Sequence, residues 1–261
     1  MSELKPKIIS IANQKGGVAK TTTTVNLAAA LAIAGLKVLV IDLDPQGNAS
    51  TGLGIEHTQR AVSIYDVIIG NAPLDNAILP TSIKNLHITS SSINLSGAEI
   101  ELLSIESKEQ ALKNAINKCT IKYDYIIIDC PPSLGQLTIN ALTASNGVII
   151  PMQCEFYALE GLSHLLKTID IIQRKLNKTL KIIGVLLTMH DKRNKLTEDV
   201  DSDVRGYLGE IVFQTVIPRN VRISEAPSHG VPVLTYDPIS SGARAYHAFT
   251  EEFLKRERIV V

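Results

Sequence analysis

Residues 13–24 read NQKGGVAKTTTT, and the aspartates Asp42, Asp44 and Asp129 each sit at or just beyond the end of a short apolar run. These residue types suit phosphate chemistry. A chain of phosphates needs convergent backbone N–H donors, a cation, and a hydroxyl able to ligate a divalent metal. Gly16 and Gly17 let the backbone curl around an anion, Lys20 can reach the β- and γ-phosphates of a nucleotide, and Thr21 can ligate magnesium. Thr22 is a candidate α-phosphate contact, and Val18 and Ala19 complete the cradle. The bland alternative is a glycine turn ahead of a solvated Lys/Thr helix start, and the flanking strand and helix argue against it. Phosphate hydrolysis also needs a carboxylate near the metal. Residues 38–47 read VLVIDLDPQG and residues 125–132 read YIIIDCPP. In both, an apolar strand delivers an aspartate at its C-terminal end, where open α/β sheets place their ligands. A lone strand-end aspartate is more often a cap or turn residue. Two of them combined with this glycine–lysine loop reverse that preference.

The elements that must hold these groups are legible from periodicity. Apolar runs at residues 7–12, 37–42, 125–129, 147–151 and 181–187 predict strands, and their β-branched character suits a sheet buried on both faces. Residues 21–34 carry Leu27, Leu31 and Ala34 at helical spacing, with Gly35 placed to end the helix. The result is a strand–loop–helix–strand unit. Later alternation extends it into an α/β fold, a mostly parallel twisted sheet with right-handed crossovers and helices on both faces. Residues 160–176 and 242–256 predict two further helices. Residues 54–117 predict only short helices and one strand around Leu86–Thr89. No repeat, low-complexity tract or linker divides the chain, so residues 1–261 are read as one domain.

Composition narrows the class. A chain of 261 residues, 45% hydrophobic and 20% charged, buries a sizeable core and is not mainly disordered. Twenty-six Lys+Arg balance twenty-six Asp+Glu, which argues against a uniformly basic nucleic-acid binder. Aromatic residues are 4% and Trp is absent, which argues against recognition by base stacking. Cys119, Cys130 and Cys154 form no CxxC pair, so neither a disulfide framework nor structural zinc is expected. His164, His190, His229 and His247 lack metal-ligand spacing. The N-terminal residues lack the apolar centre of a signal peptide, and no apolar run approaches the ~20 residues of a membrane span. A reduced, cytoplasmic protein is expected.

The general phosphate-loop pattern GxxxxGK[ST] is not met: Gln14 stands at its first glycine, Ala19 at its second, and Lys15 precedes the glycine pair. The loop resembles the deviant Walker A sequence, KGGxGK[ST], of the ParA/MinD class of P-loop ATPases, in which Gln14 is ordinary and Ala19 is a departure. A glycine beside the lysine permits close approach and backbone angles costly for other residues, so Ala19 is expected to lower affinity unless its φ is negative. The resemblance implies ATP/ADP and Mg²⁺ as cofactors. It makes Lys15, Lys20 and Asp44 catalytic, with Lys15 reaching across a nucleotide-sandwich dimer to the partner's phosphates. Asp129 looks like the Walker B aspartate, sharing the metal with Thr21. Asp44 looks like the switch I aspartate, within the metal's reach and orienting the attacking water. Asp42 would support the phosphate loop or metal shell, and Pro131, Pro132 and Ser133 the second switch.

Longer motifs sharpen the resemblance. DPQGNASTGLG (residues 44–54), IIIDCPPSL (126–134), PMQCEFYALEGL (151–162) and VIPRNVRISEAPSHGVPV (216–233) look like chromosomal ParA/Soj proteins in their short form, without an N-terminal helix-turn-helix. This resemblance implies slow ATPase activity stimulated by a ParB-type centromere-binding protein, an ATP-dependent homodimer, non-specific double-stranded DNA binding, and nucleoid association without membrane contact. It also places Pro218 and Asn220 near the base. Residues 165–195 hold eight basic and two acidic side chains, a local charge of +6, while residues 196–212 sum to −4. Zero net charge therefore conceals segregation. Lys192, Arg193, Arg219 and Arg222 are the candidate DNA contacts, Arg193 foremost because it matches a family position; a solvated surface is the ordinary alternative.

Three other classes share parts of this sequence pattern. A MinD-like membrane ATPase needs a basic amphipathic C-terminal helix, whereas this one mixes in Glu251, Glu252 and Glu257. A nitrogenase-iron-protein-like branch needs cluster-bridging cysteines, but Cys130 follows Asp129 directly and suits a small buried residue. A nucleotide-binding scaffold with turnover weakened by Ala19 is the third.

Overall fold

The six predicted strands appear, joined by one more at one edge, in a computed structural model that describes residues 5–155 and 158–259. β1 (Lys7–Ile11), β2 (Val38–Asp42), β3 (Ile78–Pro80), β4 (Leu86–Thr89), β5 (Tyr125–Asp129), β6 (Gly147–Gln153) and β7 (Lys181–Thr188) form one sheet in the order β3-β4-β2-β5-β1-β6-β7. All neighbours are parallel except β3 and β4. Every residue of β2 and β5 is buried, as apolar runs covered on both faces require.

Alternation within the strands feeds two cores. Ile126 and Ile128 point to one face, with Ile8, Leu39 and Ile41; Ile127 points to the other, with Ile9, Ile11 and Val40. The second face is closed by the helices Lys20–Ile33 and Ser241–Ile259, whose Tyr246, Phe249 and Phe253 are fully buried. Cutting back one of these phenylalanines to alanine should cost about 3–5 kcal/mol. The helices Gln136–Ala144 and Ala158–Lys175 lie over the first face.

Among the elements that exceed the sequence expectation, three bear on the fold. β3 is three residues long and ends on Pro80, too short for a periodic signal. Gln136–Ala144 is a nearly all-buried helix with little amphipathic contrast. Lys195–Leu208, expected only as an acidic stretch, is a helix capped by Asn194, whose side chain accepts from Leu196 N; its buried residues are just Thr197, Val200 and Val204. Beyond that helix the chain returns along the free edge of β7, with isolated parallel bridges Val185–Val212 and His190–Pro218. That return carries Pro218 to the C-terminal end of the sheet.

Candidate active site

The phosphate loop is shaped by bonds from its own side chains. Asn13 donates through Nδ2 to Pro151 O at 2.7 Å and accepts from Lys15 N at 3.0 Å, pinning the loop to β6. Gly17 turns at φ +74°, and Ala19 follows at φ 64°, ψ 34°, in the left-handed region. Ala19 thus occupies the conformation that favours glycine, and the negative φ that would accommodate its Cβ is not adopted. Val18 is buried, its carbonyl accepts from Thr188 Oγ1 at 3.2 Å, and it does not line the cavity. The helix from Lys20 has no side-chain N-cap, leaving its first-turn amides for an anion.

Lys20 is buried and folds back to donate to Lys15 O at 2.9 Å. Burial pushes its pKa down, while Asp129, Cys130 and Asp44 pull it up. Lys15 points elsewhere: it pairs with Glu155 and is not part of the cavity wall. Glu155 carries no signal of its own in the sequence.

Strand register brings the acids together. Asp42 and Asp129 are paired positions on β2 and β5, and Ile11 of β1 pairs with Asp129 on its other side. Asp129 accepts from Thr24 Oγ1 at 3.0 Å, the Thr21 hydroxyl lies near enough to favour its charged form, and its Oδ2 is buried without a hydrogen-bond partner among the described residues. Asp42 accepts from Ser50 N at 2.7 Å and Ser50 Oγ at 2.6 Å. Its bonds anchor the segment after β2 rather than the phosphate loop. Burial first raises the pKa of both carboxyls; the Asp42 charge adds to the rise at Asp129, and the Asp44 charge adds to the rise at both. Asp44, nearly buried, accepts from Gln46 N at 3.0 Å. Thr24 and Ser50 escaped sequence reasoning; the only signal for Thr24 was its place one helical turn beyond Lys20.

Of these acids Asp44 lines a cavity of about 520 Å³, while Asp42 and Asp129 lie buried behind its wall. Gly16, Gly17, Ala19, Lys20, Thr21, Thr22 and Asp44 line it on one side, and Pro218, Arg219 and Asn220 on another. Asn220's side chain is already engaged: Oδ1 caps the helix Val221–Glu225, accepting from Arg222 N and Ile223 N, and Nδ2 donates to Ser241 Oγ at 2.9 Å. Its contribution to the cavity is therefore mainly its fixed backbone.

The candidate DNA residues divide. Lys192, Arg193 and Arg219 surround one shallow pocket beside His190, whereas Arg222 is not among its walls and pairs with Glu225 and Asp237. Arg193 is 89% exposed and grips Asp191 through Nε and a terminal nitrogen at 2.9 and 2.8 Å. Those bonds hold the Asp191 carboxyl down at about 2. Among the described residues no group of three or more His, Cys, Asp or Glu is placed to hold a metal, and all three cysteines are free.

A family described as an AAA domain matches residues 6–182. Sporulation initiation inhibitor protein Soj of Bacillus subtilis is 55% identical over 246 residues, covering 94% of this chain and 97% of its own. Chromosome partitioning protein ParA of Caulobacter vibrioides is 50% identical over 260 residues, covering 99% and 97%. Among solved structures, cobyrinic acid a,c-diamide synthase from Mycobacterium smegmatis with bound ADP and magnesium superposes with a TM-score of 0.84 at 38% identity, covering 97% and 96%. Fold and site together define a P-loop ATPase of the ParA/MinD type. Within that class, the chain belongs to the ParA/Soj chromosome-partitioning family.

Proposed function

We propose that this chain binds ATP with magnesium, pairs with a second copy across the nucleotide, holds DNA without sequence preference, and releases it on hydrolysis. The reading is supported above all by the convergence of Lys20, Thr21 and Asp44 on one cavity that Pro218, Arg219 and Asn220 also line, with Asp129 buried beside Lys20 and Thr24. The M. smegmatis relative solved with ADP and magnesium supports the same ligands.

The residues fit a magnesium–nucleotide complex. Magnesium takes one or two carboxylates plus phosphate oxygens and keeps waters. The orphaned Oδ2 of Asp129 and the adjacent Thr21 hydroxyl suit that demand. When bound, the ion would neutralise charge on the β- and γ-oxygens. Amides from Gly16 to Thr22 and the Lys20 ammonium orient the phosphates, and Asp44 orients the attacking water. Lys15 turns from Glu155 to the partner's phosphates, supplying a cation where charge develops.

Lys192, Arg193, Arg219 and Arg222 provide the DNA contacts, and a ParB-type protein accelerates a slow basal turnover. Neutral overall charge suits a monomer that holds DNA weakly and a dimer that doubles its basic surface. The membrane-associated alternative is disfavoured because Phe249 and Phe253 of the last helix are buried in the core; among the described residues no helix is long and apolar enough to cross a membrane. The test is size-exclusion chromatography with light scattering in apo, ADP and ATP states. A dimer with ATP alone is expected; a monomer in all three states overturns the sandwich reading.

A further inference from the structure

The loop carrying Asp44 is held from two sides. On the inner side, Asp42 accepts from Ser50. On the outer side lies Arg60, which is not part of the nucleotide cavity. One terminal nitrogen of Arg60 donates to Thr51 Oγ1 at 2.9 Å and to Ile55 O at 2.7 Å. The other lies against Gly47, where a Cβ would come within 2.6 Å of it. Gly47 has φ +64°, so glycine is required there both for its angles and for the guanidinium's approach.

A continuous set of bonds leads from Arg60 to the acid. Thr51 Oγ1, held by Arg60, donates to Gly47 O at 3.1 Å. Gly47 N donates to Asp44 O at 2.9 Å, and Gln46 N donates to the Asp44 carboxylate. Arg60 Nε is buried without a hydrogen-bond partner among the described residues. Burial of that kind disfavours a guanidinium, and the nearby Asp42 carboxylate offsets only part of the cost. What it does do is cover the outside of the turn.

We propose that Arg60 is the positioning residue for Asp44: by bracing Gly47 and Thr51 it fixes the turn that aims the carboxylate at the attacking water. The proposal rests on the role given to Asp44 above. Because the Asp42–Ser50 anchor remains when Arg60 is changed, the loop should stay attached while losing its fixed conformation. Turnover is then affected, and nucleotide affinity is not, since phosphate contacts come from another loop.

The test compares wild type, Arg60→Met, Arg60→Lys and Asp44→Ala. Mg-ADP affinity is read by calorimetry, ATP turnover with DNA present by phosphate release, and exchange of the Gln46 and Gly47 amides by hydrogen–deuterium exchange. Arg60→Met should lower kcat about tenfold while Kd for ADP stays within about twofold, because small misplacements of reacting groups are costly. Its Gln46 and Gly47 amides should exchange faster. Arg60→Lys keeps a donor for Thr51 and Ile55, and should recover part of kcat. Wild-type kcat and exchange in Arg60→Met overturn the proposal, as does an equal loss of kcat and ADP affinity without rescue by lysine. If Asp44→Ala turns over at the wild-type rate, the role of Asp44 falls and the proposal with it. If Asp44→Ala is inactive and Arg60→Met is normal, only the proposal falls.

Discussion

Ala19→Gly separates two ways in which an alanine can harm a phosphate loop. In the first, the methyl group prevents the loop from forming, and nucleotide affinity suffers. In the second, the loop forms anyway and the chain carries the strain in every state. The structure supports the second, because Ala19 already has φ 64° and ψ 34°, and its carbonyl accepts from Thr23 N at 2.9 Å as the first bond of the helix. Holding a residue with a Cβ in this region costs about 1–2 kcal/mol. Glycine removes that strain but adds about 0.4–1 kcal/mol of unfolded-chain entropy. The net gain in stability is about 1 kcal/mol, or roughly 2–4 °C in Tm for a chain of this size.

Strain that is equal in free and bound states does not weaken binding. Mg-ADP affinity should therefore change by less than about threefold, the factor that corresponds to about 0.65 kcal/mol. Thermal unfolding with and without ADP, together with titration calorimetry, measures both quantities. An unchanged or lower Tm combined with ADP binding more than about tenfold tighter would refute the reasoning. That result would mean that Ala19 distorts the free loop and glycine restores it.

Asp44→Ala should keep ADP affinity within about twofold while removing at least about 99% of turnover, and a rate near wild type would end its assignment as the water-orienting group. Arg193→Glu should weaken ATP-dependent DNA binding and flatten the salt dependence of log K by about one unit for each DNA phosphate the variant no longer neutralises; an unchanged slope would move the DNA face elsewhere. Glu252 gives a pH prediction. Burial pushes its pKa up, but the amides of Thr215 and Gln214 with Arg256 outweigh it, and the net shift is downward. A depressed carboxyl contributes stability above its unfolded pKa and loses it as pH falls through the folded value. Glu252→Ala should therefore cost about 1.5–3 kcal/mol at pH 7, with the Tm gap to wild type closing below about pH 4; a gap independent of pH would contradict it.

The phosphate loop was legible because its pattern is local. Gly16, Gly17, Lys20 and Thr21 are neighbours in sequence, and their spacing alone predicts a cradle. The central strands were legible because burial on both faces leaves an uninterrupted apolar run. The helix Lys195–Leu208 was not, since a stripe of Thr197, Val200 and Val204 is too narrow to stand out among charges. Pairings across the chain were equally hidden. Nothing in the spacing of Lys15 and Glu155, or of Asp44 and Arg60, links them before the chain folds. The backbone angle at Ala19 was framed by the sequence only as a condition, because a methyl group is compatible with either sign of φ until the loop closes.

The acidic half of the site follows from sheet order rather than from any motif. β5 lies between β1 and β2, so the turn leaving β1 passes beside Asp129, and the end of β2 places Asp42 opposite it. Eighty-seven residues separate those acids in the chain, and parallel register alone makes them neighbours. Their closeness is unfavourable by itself: burial and the neighbouring carboxylates disfavour both charged forms, while burial also disfavours the Lys20 ammonium nearby. Each penalty is relieved by a different part of one ligand, anionic phosphate for the lysine and a divalent cation for the carboxylates. Neither part alone satisfies both sides. The arrangement therefore predicts that ADP and magnesium stabilise the fold more together than the sum of their separate effects, which thermal unfolding with each alone and with both can measure; strict additivity would show that the two halves of the site are independent.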